Sequence, residues 1–181
     1  SRARGGLSDP GISYQRYQET LRVLPGEVRL QELERLIAEH RLYHLPVRRA
    51  MSWSQIREMS AAGIEFGSHT VFHGLLPFLE PSEVAFELTE SRRRLEEQIQ
   101  IPCAYFAYPN GDYSPAVCAQ AERLGYRAAL TQSFGANCAD MDAFRLKRIE
   151  VPYHDPLPSF SRRARKALTQ IPVQAAPGAG K

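Results

Sequence analysis

At 181 residues, with 43% hydrophobic and 24% charged side chains, the chain has the length of one ordinary domain and enough apolar material for a core, which excludes wholesale disorder. Lys and Arg number 23 against 20 Asp and Glu, and the net charge of +3 is too mild to argue for a nucleic-acid partner. No apolar run approaches the ~20 residues of a membrane span, the three cysteines Cys103, Cys118 and Cys138 suit neither a disulfide framework nor a zinc ribbon, and residues 1–6 lack the apolar core of a signal peptide.

Residues 1–26, rich in Gly, Pro, Ser and Arg, read as a loose lead-in. Residues 27–40 carry Leu30, Leu33, Leu36, Ile37 and His40 at helical spacing. Residues 52–62 predict a second helix, with Ser52 and Gln55 as a capping box and Gly63 at C′. Residues 64–68 then read as a short buried strand. Residues 83–99 predict a long helix with Val84, Leu88, Leu95 and Ile99 on one stripe, Pro81 near its start, and Arg92, Arg93 and Arg94 on a solvated face. Residues 103–108 are an apolar strand. Residues 114–124 are a helix with Ser114 as N-cap, Pro115 at N1 and Gly125 at C′. Strands follow at 126–131 and 148–151, then a basic helix at 161–169 with Arg162, Arg163, Arg165 and Lys166. The tail, 173–181, has the composition of a disordered segment. Helix and strand alternate, so the fold class is α/β with a parallel sheet. About four strands are too few for the usual eight of a barrel, which leaves a small open sheet or the later part of a barrel.

The chemistry concentrates in Gly67-Ser68-His69-Thr70-Val71-Phe72-His73. Two histidines four apart meet on one face if the segment turns helical, and neutral imidazoles bind zinc and similar divalent metals. His69 also falls just past the end of a predicted strand, where α/β enzymes place their active sites. Packing or capping of a turn is the competing reading. His40 and His44 have the same spacing, but they close a helix with no strand before them and read as structural. Phe106-Ala107-Tyr108-Pro109-Asn110-Gly111 is a strand end followed by strong turn chemistry. It is either a plain βα turn or a rigid loop offering the Asn110 backbone N–H to an oxyanion. Tyr105, Tyr108 and Tyr113 are candidates for stacking on sugar rings, with Tyr105 expected in the core, and the cysteines are expected as small buried hydrophobes.

Residues 53–126 resemble the polysaccharide deacetylases of the NodB type, carbohydrate esterase family 4. The resemblance rests on Met51-Ser52-Trp53, on Gly63 through Thr70 leading into a His-Ser/Thr-x-x-His motif, and on Phe106 to Gly111. Gly125-Tyr126 and Leu146-Lys147-Arg148-Ile149 match in order and spacing. It implies the C-terminal portion of a distorted (β/α) barrel, and hydrolytic removal of acetyl groups from an N-acetylated polysaccharide. It implies a divalent metal, zinc above all, with His69 and His73 as ligands and Asn110 as the backbone oxyanion donor. The family's Thr-Phe-Asp-Asp-Gly motif supplies the base and the third ligand. No Asp-Asp pair exists in this chain, so the resemblance puts these aspartates ahead of Ser1. The family's arginine position is Ala107, with Arg148 as a substitute charge. Its late histidine corresponds to His154, beside Asp155; a surface histidine in a proline-rich loop is the competing reading.

The organisation expected is a lead-in and helical insert over 1–50, an incomplete deacetylase-like domain over 51–170 and the tail over 171–181. A non-catalytic relative that binds a glycan or a partner protein is the alternative function. Self-association through an exposed sheet edge is expected, and the compartment is not readable.

Overall fold

The computed structural model describes residues 19–21, 23–41 and 50–171. Most of the lead-in, His44 and the tail from Val173 lie outside the described residues. Among the described residues, helices and strands follow in the order α1 (Gly26–Glu39), α2 (Trp53–Ala61), α3 (Pro81–Ile99), β1 (Tyr105–Ala107), α4 (Pro115–Arg123), β2 (Ala128–Phe134), β3 (Leu146–Arg148) and α5 (Leu157–Leu168).

The helix boundaries follow the local chemistry of the chain. The Ser52 side chain accepts from Gln55 N, and the Gln55 side chain accepts from Ser52 N, closing the capping box of α2. At its other end Gly63, at φ 89°, turns the chain left-handed. Gly63 N then donates to Ser60 O and Ile64 N to Met59 O, which satisfies two orphan carbonyls. Gly125 and Tyr126 repeat that pattern on α4, whose Ser114 cap accepts from Val117 N.

β1, β2 and β3 form a parallel sheet in chain order, with Phe106 opposite Ala129 and Leu130 opposite Leu146. β1–α4–β2 is a βαβ unit, the connection a parallel pair requires. The core lies between the sheet and helices α3 and α4. Phe106, Leu88, Ala121 and Ala129 are fully buried there, and Phe106 meets Tyr108 and Tyr126 at ring centroids 5.3 and 5.4 Å away.

Three expectations need correction. Residues 64–68 do not form a strand: Ser68 alone bridges to Phe106, and Ile64 is half exposed. The Ile64 amide is held by the α2 terminus, so pairing starts only where Ser68 N reaches Tyr105 O. The last strand lies at 146–148, not 148–151, because pairing with β2 ends at Arg148. Arg92 is no solvated charge: its guanidinium lies 5.2 Å over the Tyr126 ring, pairs with Glu96 and donates to Leu124 O. Arg93 and Arg94 do face solvent, paired with Glu90.

Candidate functional site

The segment from Ser68 to His73 leaves the sheet edge as a loop rather than as the helical turn that the spacing suggested. Thr70 and His73 both take left-handed backbone conformations, at φ 67° and 55°. Each costs on the order of 1–3 kcal/mol for a non-glycine residue and persists only where its surroundings hold it. Those surroundings are explicit. Thr70 Oγ1 accepts from His73 N at 2.9 Å. The carboxylate of Glu87, buried on α3, accepts from Val71 N at 2.6 Å and Phe72 N at 3.0 Å. Hydrogen bonds to a charged acceptor contribute about 1.5–3 kcal/mol each, enough to offset the strain. Arg29 of α1 donates to Phe72 O at 2.9 Å and, at greater length, to His73 O. Ser68 Oγ meets Ser91 Oγ at 2.6 Å, so α3 also fixes the start of the loop.

This loop brings the His69 and His73 rings together edge-on, with centroids 4.9 Å apart. His69 Nδ1 lies 2.7 Å from Ala107 O, at the end of β1. A carbonyl only accepts, so Nδ1 carries the proton. In the neutral ring Nε2 then keeps its lone pair for a ligand. A ring nitrogen tied to a backbone carbonyl is the usual support of a metal-binding histidine. His69 is therefore set up as one ligand for a divalent cation, with the His73 ring beside it as the candidate for a second. Among the described residues no group of three or more His, Cys, Asp or Glu stands close enough to share one.

Three residues beyond Ala107, Asn110 sits half exposed in a tight turn at φ 54°. Gly111 N and Asp112 N close the turn on Tyr108 O and Pro109 O, and the Asn110 amide takes part in neither bond. Gly111 follows at φ 76°, and a Cβ there would lie 2.5 Å from Gln132 N. The turn is thus seated on β2, and Gln132 in turn lines a cavity of about 320 Å³ with Arg148, Ile149 and Glu150. Arg148 Nε donates to Thr131 O at 2.6 Å, which holds its guanidinium beside the strand ends.

The remaining candidates sit elsewhere. His154 is exposed in a turn and packs edge-on against Tyr153, 4.5 Å between centroids. Asp155 is held by an ion pair to Arg163 of α5, and no ion pair links it to His154. Tyr108 is fully buried and cannot stack on a sugar; its hydroxyl donates to Phe144 O at 2.9 Å and lies 3.3 Å from Cys118 Sγ. Burial, then the hydrogen bond to Cys118, pushes its phenol well above the usual range. Tyr105 is half-buried rather than in the core. Tyr113 is partly exposed, with the Tyr108 ring 5.5 Å away and the Arg145 guanidinium 5.7 Å over its own ring. Cys103 and Cys118 are buried as expected, and Cys138 is only partly so.

Sequence reasoning missed Glu87, Ser91 and Arg29. The signal existed for the first two: they fall at i+3 and i+7 from Val84, on the apolar stripe of α3. A carboxylate on such a stripe needs a buried partner. Nothing in the sequence marks Arg29 among its neighbours on α1.

Comparison with known proteins places the fold in a family. A family model described as polysaccharide deacetylase matches residues 33–129. The Bacillus subtilis (strain 168) protein "Putative polysaccharide deacetylase YxkH" is 30% identical over 97 residues, 54% of this chain and 35% of that one. The Streptococcus pyogenes deacetylase PplD, solved in complex with acetate, is similar with a TM-score of 0.61 and 25% identity, over 67% of this chain and 54% of its own. A polysaccharide deacetylase from Bacillus cereus is similar with a TM-score of 0.58 and 26% identity, over 65% and 38% of the two chains. The chain spans about a third of the curated relative and about half of the first of these structures. With the match covering more than half of its length and including both the histidine loop and the Pro-Asn-Gly turn, the chain belongs to the polysaccharide deacetylase family.

Proposed function

We propose that this chain is part of a metal-dependent hydrolase that removes N-acetyl groups from an N-acetylated polysaccharide. One observation carries the reading: His69, its Nδ1 tied to Ala107 O, stands edge-on to His73 at the strand ends. His69 and His73 would hold a divalent cation, zinc in the first instance, with an aspartate ahead of Ser1 as third ligand. Such a cation polarises a carbonyl and makes water a stronger nucleophile at neutral pH.

The chain's own residues orient the reaction. The Asn110 N–H, presented by a turn that Gly111 seats on β2, donates to the oxygen that gains charge when the acetamide carbonyl is attacked. Arg148 adds a positive charge near the same strand ends. A general-acid role for His154 finds no support in its contacts with Tyr153 and is not part of the proposal. The parallel strands follow chain order without reversal, which suits a segment of a (β/α) barrel. Acetate bound to the Streptococcus pyogenes relative is the product this reaction would release.

The test is acetate release from N-acetylglucosamine oligomers by the complete natural polypeptide. His69→Ala and His73→Ala should each lower the rate at least about 100-fold, as expected for lost metal ligands. Full activity in His69→Ala would overturn the metal assignment.

A further inference from the structure

We infer that Glu87 is a positioning residue for the histidine pair, acting through the backbone of the loop between the two rings, with Arg29 as its counterpart on the carbonyl side. The inference rests on the metal-site reading above and extends it to residues that never touch the ion. The His69 ring is oriented by Ala107 O, but that bond fixes only one end of the loop. His73 lies beyond two left-handed residues' worth of strained backbone, at Thr70 and at His73 itself.

Between them, Val71 and Phe72 point both amides at one carboxylate oxygen of Glu87. That carboxylate comes from the middle of α3, a 19-residue helix packed on the core. It therefore ties the loop to a helix whose apolar stripe is buried in the core. Arg29 donates to Phe72 O and His73 O, on the carbonyl side of the same backbone. Gly26 of α1 lies so close to the Phe72 ring that a Cβ there would overlap it. One side chain takes the donors of the loop and another takes its acceptors. Neither group is read as a ligand: a guanidinium has no lone pair to give, and among the described residues Glu87 forms no three-membered ligand group with the histidines. Their effect is to keep the His73 ring at its distance from His69 before any cation arrives, so that binding does not have to order the loop.

The experiment uses the full 181-residue chain and Zn2+ alone. Hydrogen exchange at Val71 and Phe72 amides is read without metal, and Zn2+ titration is read at the His69 and His73 ring signals by NMR. Glu87→Ala should raise amide exchange at both positions at least 10-fold, and should weaken Zn2+ binding by about 10-fold or more. Glu87→Gln, which keeps one acceptor oxygen, should fall between Ala and wild type. Arg29→Ala should weaken Zn2+ binding while α3 keeps its protection. If Glu87→Ala does not fold, the Gln and Arg29 variants decide. Unchanged affinity and unchanged loop exchange in those folded variants overturn the inference. His69→Ala is run alongside: if Zn2+ then binds as before, it is the metal-site reading that fails, and the loop-exchange result still judges the role of Glu87 in holding the loop.

Discussion

At the scale of single residues, the backbone conformation of the Pro-Asn-Gly turn separates two neighbours that look alike. Asn110 and Gly111 are both left-handed, at φ 54° and 76°. Asparagine tolerates that region, and Asn110 is half exposed. Gly111 has no such latitude, because a Cβ would stand 2.5 Å from the Gln132 amide nitrogen. Gly111→Ala should therefore destabilise the protein by about 2–3 kcal/mol, a clear loss in thermal midpoint by calorimetry. Asn110→Gly should stay within about 1 kcal/mol of wild type. Because the proposed role of Asn110 belongs to its N–H and not to its side chain, Asn110→Gly should also keep most of the acetate-releasing activity of the complete protein. A loss beyond 10-fold with the fold intact would move the role to the side-chain amide. The turn was legible in the sequence, since Pro-Asn-Gly permits few conformations. The histidine loop was legible only in its residues. Its shape depends on Glu87, 16 and 15 positions from the Val71 and Phe72 amides it accepts from, and no local propensity encodes bonds of that range.

At the scale of elements, α3 does most to connect the parts. From the two flanks of its apolar stripe it offers Glu87 to the histidine loop, Ser91 to Ser68, Arg92 to Tyr126 and to Leu124 O, and Glu96 to Cys103 N. The apolar stripe of this helix was plain from its periodicity, whereas its polar contacts were not, because charge on a helix reads as solvated by default. Both glycine helix ends were legible for the opposite reason: a left-handed C′ residue is a local demand that the sequence meets locally. Residues 64–68 failed as a strand because pairing is not a local property, and an apolar run does not name its partner.

Burial raises the Tyr126 phenol to about 12, and its hydroxyl donates to Leu88 O. A group with a raised folded-state pKa contributes stability that is complete below its unfolded value near 10 and is lost as the pH climbs through 12. Unfolding free energy should therefore fall by ~2–3 kcal/mol from this group between pH 10 and 12. Tyr126→Phe should cost about 1 kcal/mol at pH 7 through the lost hydrogen bond, yet flatten the alkaline limb. Tyr108, raised in the same direction, keeps some of that limb in place. Denaturant titrations at pH 7, 10 and 11.5 measure both effects, and an equally steep alkaline loss in Tyr126→Phe would assign it to other groups.

For the molecule as a whole, the sheet has unequal edges. The run leading to Ser68 bonds to β1 on one flank, and among the described residues no strand pairs with its other flank. Ile64 there is half exposed, beside a groove of about 300 Å³ that it lines with Phe66, Ile99 and Ile101. Unpaired backbone next to exposed apolar side chains is a template for edge-to-edge association. Under the barrel reading, the same flank is where the early strands of a longer polypeptide would pair. The two ideas make one joint forecast. The 181-residue chain should self-associate with rising concentration in analytical ultracentrifugation, and Ile64→Lys should suppress this without changing His69 or His73, which lie at the other end of the strand direction. A longer polypeptide that carries the Asp-Asp segment should remain monomeric over the same range, because its own strand occupies the edge. Association that persists in the longer form would place the interface elsewhere and remove this support for the barrel. A 181-residue chain that stays monomeric at high concentration would mean that the edge is protected by its own residues.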